Sequence, residues 1–106
     1  MAEHELKVWP IYYEEIELNN KTFEVRLNDR DFKKGDFICL REYNPDKKQY
    51  TGRFTRAVIS YIFYGGIFKI PQDMCIFSFI KLTPLKMLEN GLNKMFKEFP
   101  ELTRIK

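Results

Sequence analysis

Residues Lys21 to Asp36 read KTFEVRLNDRDFKKGD, and this stretch decides the fold. Phe23, Val25 and Leu27 alternate with Thr22, Glu24 and Arg26. A period of two marks a β-strand, whose successive side chains leave on opposite faces. The apolar trio is expected to point inward. Thr22, Glu24 and Arg26 then share the other face, with a hydroxyl, an acid and a base within reach of one another. The strand runs into a charged turn, Asn28-Asp29-Arg30-Asp31, and Gly35-Asp36 follows just before the next apolar run. Asn and Asp turn a chain by hydrogen-bonding its own backbone, so Asp29 and the Gly35-Asp36 pair read as turn chemistry. The polar face has two readings, a ligand site or an ion pair on a solvated strand.

Upstream, Glu5 to Val8 alternate and predict a short strand. Pro10 suits the first turn of a helix. Ile11 to Leu18 then place Ile11, Tyr12 and Ile16 on one stripe, with Tyr13 at its margin and Glu14, Glu15 and Glu17 facing water. Asn19-Asn20 ends the helix, because Asn tolerates the left-handed backbone of a helix terminus. Downstream, Asp36 to Tyr43 is the third strand, and NPDKKQYTG (residues 44–52) is a basic hairpin connection. Arg53 to Phe63 is a fourth strand broken by Gly65-Gly66, and Cys75 to Leu82 a fifth. Beyond Thr83-Pro84, Leu85, Leu88, Leu92, Met95 and Phe96 recur at helical spacing and predict a C-terminal helix over 85–97. The order is β-α-β-β-β-β-α in one domain of 106 residues. Five strands joined by turns favour an α+β fold, a small closed or half-closed barrel with helices packed on its ends.

Composition narrows the function classes. Ten Phe and six Tyr within a 44% hydrophobic chain can fill a core. No run approaches the roughly 18 apolar residues of a membrane span. The acidic start, MAEHELKVWP, lacks the pattern of a secretory signal, so a cytoplasmic protein without membrane contact is expected. Cys39 and Cys75 sit inside apolar runs and read as buried, reduced thiols. With two distant Cys and His4 as the single imidazole, neither a metal site nor a cofactor is expected. The net charge of +3 is unevenly spread. Residues 1–25 carry −4, 26–56 carry +4 and 81–106 carry +3. A basic middle of this size suits a small nucleic-acid or nucleotide ligand.

Three stretches, HELKVWPIYYEEI, NNKTFEVRLNDRDFKKGD and LREYNPDKKQYTGR, carry a resemblance. Over roughly residues 4–82 the chain resembles the ASCH-related family of small PUA-like proteins of bacteria and phages. The most specific part is Lys21-x-x-Glu24-x-Arg26, backed by Asn28-Asp29-Arg30 and Gly35-Asp36. The resemblance implies a PUA-like β-barrel, a cleft between barrel and first helix, and RNA or a modified nucleotide in that cleft. Some ASCH proteins are amidohydrolases on acylated cytidines, using a Lys, a Thr three residues later and a distant Glu. Lys21 matches the Lys, but Glu24 stands in place of the Thr, and residues 57–88 contain no Glu, only Asp73 as an acid.

The candidate ligand-binding residues are therefore Lys21, Glu24, Arg26, Asn28, Arg30 and Tyr13. A carboxylate between two cations is a good acceptor for a base amino group or a ribose hydroxyl, and Arg or Lys can hold phosphate. Lys21 reaches the site only from the turn before the strand. Of the aromatics Trp9, Tyr12 and Tyr13, Tyr13 is chosen to stack a base, since Tyr12 fits the buried stripe better. Lys47, Lys48 and Arg53 are either a solvated hairpin or an arm over nucleic-acid backbone. His4 is a base, a ligand contact or neither. If the protein is an enzyme, Lys21 and Glu24 are its catalytic residues. A third reading is a protein partner bound through the C-terminal helix.

Overall fold

A computed structural model describes residues 2–82. It is a small α+β domain with one short helix and a five-stranded sheet curled into a half-barrel. In chain order the elements are β1 (Glu3–Val8), α1 (Pro10–Glu17), β2 (Phe23–Leu27), β3 (Phe37–Asn44), β4 (Gln49–Tyr64) and β5 (Met74–Lys81). The sheet order is β1-β3-β4-β5-β2, with β1 parallel to β3 and every other pair antiparallel. The predicted order thus holds through the fifth strand. The helix predicted over 85–97 lies outside the described residues. Among the described residues no helix is long and apolar enough to cross a membrane.

The curl comes from β4. Its first part, Gln49–Val58, pairs with β3, and its last part, Ala57–Tyr64, pairs with β5. Each ladder is interrupted, between Arg41 and Tyr43 on β3 and between Ile59 and Tyr61 on β4. Such irregularities bend a strand and add right-handed twist. The sheet therefore rolls up and brings its two edge strands, β1 and β2, towards each other. The β3–β4 connection is tighter than predicted, because pairing resumes at Asn44 and Gln49. The turn out of β4 needs glycine at Gly65, where a Cβ would meet the Pro71 carbonyl oxygen at 1.9 Å.

Inside the curl pack Leu6, Ile38, Leu40, Ile59, Phe32 and Phe77, among others. Cys39 and Cys75 are free, and both are buried. Burial pushes both thiols up.

Helix α1 packs against β3, with Pro10 in its first turn. It ends at Glu17, and Asn19 just beyond has a left-handed φ of 63°, as expected. Its buried residues are Tyr13 and Ile16, whereas Ile11 and Tyr12 are exposed. The predicted stripe is corrected by one residue. An eight-residue helix has room for one buried pair three apart, and Tyr13 is the aromatic whose hydroxyl finds partners over the sheet. It donates to Glu17 Oε1 at 2.5 Å and meets Thr55 Oγ1 at 2.9 Å. Each such buried side chain contributes about 1.5–3 kcal/mol. Lys81 Nζ donates to the Ile16 and Glu17 carbonyls, 3.1 and 3.2 Å away, at the negative end of the helix.

The second correction concerns β2. Phe23, Val25 and Leu27 face outward, each about half exposed, while Glu24 is 4% exposed and points inward. The partner strand decides this. Glu24 lies opposite Phe77 and Arg26 opposite Cys75, two fully buried positions of β5. Directly opposed residues of an antiparallel pair share a face, so the polar set of β2 is carried inside.

Candidate functional site

The two edge strands face each other across a seam. β1 pairs with β3 on one side only, so its other edge presents backbone groups without a ladder. Arginines from the β2 side meet them. Arg26 Nη2 donates to the Lys7 carbonyl at 2.7 Å, and Arg30 Nη1 donates to the Glu5 carbonyl. The half-barrel is thus clasped by side chains where a fifth ladder would close it.

Above the clasp lies an open cavity of about 500 Å³. Its floor is the Glu24 carboxylate. Lys21 Nζ donates to Oε1, and Arg26 Nε donates to Oε2 at 2.8 Å. Lys21 also donates to the Phe23 carbonyl at 2.7 Å. It stands just before β2, the position from which it can reach the site. The Glu24 side chain is 6% exposed, against 19% for Lys21 and 24% for Arg26, so the acid is the most buried of the three. The remaining N–H donors of Arg26 have no partner among the described residues.

One wall is aromatic. Trp9 and Tyr12 line the cavity with ring centroids 6.4 Å apart and planes 26° from parallel, each about half exposed. Val8, Val25, Leu27 and Lys7 complete the lining. The combination is an apolar slot over a buried anion framed by cations. It suits a flat, partly polar ring that carries a negative group.

The other predicted residues are placed elsewhere. Asn28 builds the turn, with Oδ1 accepting the Phe32 N–H at 3.0 Å and its own N–H donating to the Asp73 carbonyl at 2.7 Å. Arg30 is a clasp. Thr22 is exposed and lines no part of the cavity. Tyr13 is under α1, and burial first, then its bond to Glu17, pushes its phenol up to about 12. Lys47 and Lys48 are exposed on the β3–β4 turn. Arg53 forks onto the buried Glu42 through Nε and Nη2, both at 2.9 Å, and reaches Glu14 at 3.2 Å, tying α1 to the sheet. The Arg53 bond also holds the Glu42 carboxyl below its ordinary value. His4 Nε2 and Asp36 Oδ2 form a buried pair at 2.9 Å, away from the cavity lining. Burial works to raise Asp36, but hydrogen bonds from His4 and the Lys33 and Ala2 N–H groups outweigh it and hold the carboxyl low.

Trp9 and Tyr12, passed over in the sequence in favour of Tyr13, line the cavity, as does Lys7, which the sequence does not single out. A usable signal was the spacing of Trp9 and Tyr12, three apart across a Pro-started helical turn, which puts both rings on one side. Among the described residues no three His, Cys, Asp or Glu are grouped to hold a metal.

A family model matches residues 3–79, from the start of β1 into β5. The chain belongs to the family described as a domain of unknown function, DUF3850. The matched span contains every residue lining the cavity and both clasps. No curated protein matches the chain.

Proposed function

We propose that this protein is an ASCH-related, PUA-like module that binds a nucleotide, or a nucleotide of an RNA strand, in the seam cavity. The observation that carries this reading is the buried Glu24 carboxylate, held by Lys21 and Arg26 under the Trp9–Tyr12 wall. The carboxylate accepts from the exocyclic amino group of a base. The rings receive its face, and Lys21, Arg26 and Lys7 attract its phosphate.

NMR titration with cytidine, N4-acetylcytidine, CMP and a short single-stranded RNA tests it. Shifts are expected at Lys7–Tyr12 and Lys21–Leu27. Glu24→Gln removes the charged acceptor, so bases with an amino group should bind about tenfold or more weakly, in line with ~1.5–3 kcal/mol for a bond to a charged group. Uracil, which has no amino group, should lose much less. Equal loss for both bases overturns the assignment of Glu24, and no shifts with any ligand overturn the site.

The meeting of Lys21 with Glu24 at the cavity floor favours one alternative, hydrolysis of an N4-acylated cytidine. Amide attack would use the Lys21 amine as nucleophile or base. Release of acetate from N4-acetylcytidine that vanishes in Lys21→Ala supports hydrolysis; no turnover at high protein concentration ends it.

A further inference from the structure

The outer face of β1, β3 and β4 carries a second feature, which starts at the cavity lining. Lys7 lines the cavity, and its Nζ lies 4.4 Å from the centre of the Tyr43 ring and 6.0 Å from that of Tyr50. The two tyrosines are opposed across β3 and β4, with centroids 5.2 Å apart and rings near perpendicular. The Arg41 guanidinium covers Tyr50 at 3.7 Å, and its Nη1 is held by Glu5 at 2.9 Å. Lys7, Arg41 and Phe54 are in register across three strands, so they share this outer face. Phe54 is 55% exposed there. The strip ends near the β3–β4 turn, with Lys47 and Lys48 exposed.

Large aromatics on the outer face of a sheet have no core to fill. Here they alternate with cations laid over their rings. An Arg so oriented offers its second planar face to a stacking partner. Aromatic and guanidinium faces interleaved with lysines are the means by which proteins follow a flexible strand of nucleotides, bases on planes and phosphates on ammonium groups.

We propose that the ligand of this protein is single-stranded RNA of at least about three nucleotides, one in the seam cavity and two on the strip formed by Lys7, Tyr43, Arg41 and Tyr50. This rests on the reading of the cavity as a nucleotide site and names the ligand class for it. Lys7 serves both parts, and Lys47 and Lys48 hold the backbone as it leaves.

The test is binding of CMP, the cytidylate trinucleotide and the hexanucleotide to the whole chain, by fluorescence competition at two salt concentrations. Affinity is expected to rise at least tenfold from CMP to the trinucleotide, since each stacked base contributes about that factor. Arg41→Ala with Tyr50→Ala should return the trinucleotide to within about threefold of CMP and leave CMP itself unchanged. Lys47→Glu with Lys48→Glu should flatten the salt dependence for the hexanucleotide only. All four positions are on the surface, and an unchanged amide spectrum of the cavity residues certifies the fold. If CMP binds but length adds nothing, the strip is overturned while the cavity reading stands. If the oligomers bind, respond to the strip variants and ignore Glu24→Gln and Trp9→Ala, the cavity reading fails and the strip alone is the site. If no length binds, both fail.

Discussion

Replacing Arg26 by Ala removes two bonds at once, Nε to Glu24 at 2.8 Å and Nη2 to the Lys7 carbonyl at 2.7 Å. Hydrogen bonds to charged groups contribute about 1.5–3 kcal/mol net. The side chain is 24% exposed, so the lower end applies to the Glu24 bond, about 1.5 kcal/mol. The carbonyl bond adds about 1 kcal/mol. The total of about 2.5 kcal/mol leaves a domain of ordinary stability folded. With a urea m-value near 1.2 kcal/mol/M, the midpoint should fall by about 2 M. A double-mutant cycle with Glu24→Gln separates the two contributions. A coupling energy of about 1.5 kcal/mol belongs to the ion pair, and what remains belongs to the clasp on β1. Arg26→Lys should recover under half, because one ammonium cannot meet both partners. Amide exchange in β1 should quicken in Arg26→Ala more than in Glu24→Gln. A midpoint shift below about 0.4 M, or β1 exchange unchanged, refutes the clasp.

Gly65→Ala should destabilise by about 2 kcal/mol or more, measured by the same denaturation, since the new methyl meets backbone and one strand end must shift. At acid pH, Glu42 and Asp36 have folded values below their ordinary 4.5 and 3.8. Their stabilisation is complete above those unfolded values and is lost as pH falls through the folded ones, so Glu42→Gln should flatten the acid limb of a stability profile. At alkaline pH the sign reverses for Tyr13, raised from 10.0 to about 12. Its contribution is full below pH 10.0 and is lost as pH rises towards about 12, and Tyr13→Phe should remove that slope.

Alternation and turn residues made the order of strands legible, because both are local. The facing of β2 was not local. Phe23-x-Val25-x-Leu27 states that two faces differ in polarity, and only pairing with Cys75 and Phe77 of β5 states which face goes inside. Glu24 could be carried inward because Lys21 and Arg26 are spaced to satisfy it, a pattern visible in the sequence as a cluster but silent about depth. The exchange of Tyr12 for Tyr13 is one residue of helical phase, too fine for an eight-residue helix. Asn28 and Arg30 had the right chemistry for a ligand, yet the turn and the free edge of β1 consume it.

The way the seam is closed bears on how the protein behaves in a crowded solution. A short β1 with an open row of carbonyls is a template for polymerisation through strand addition. Two guanidinium groups already occupy the carbonyls of Glu5 and Lys7. An incoming strand would have to displace both cations and strand the Glu24 carboxylate without one of them. The contacts that shape the cavity floor therefore also guard this edge of the sheet against strand addition.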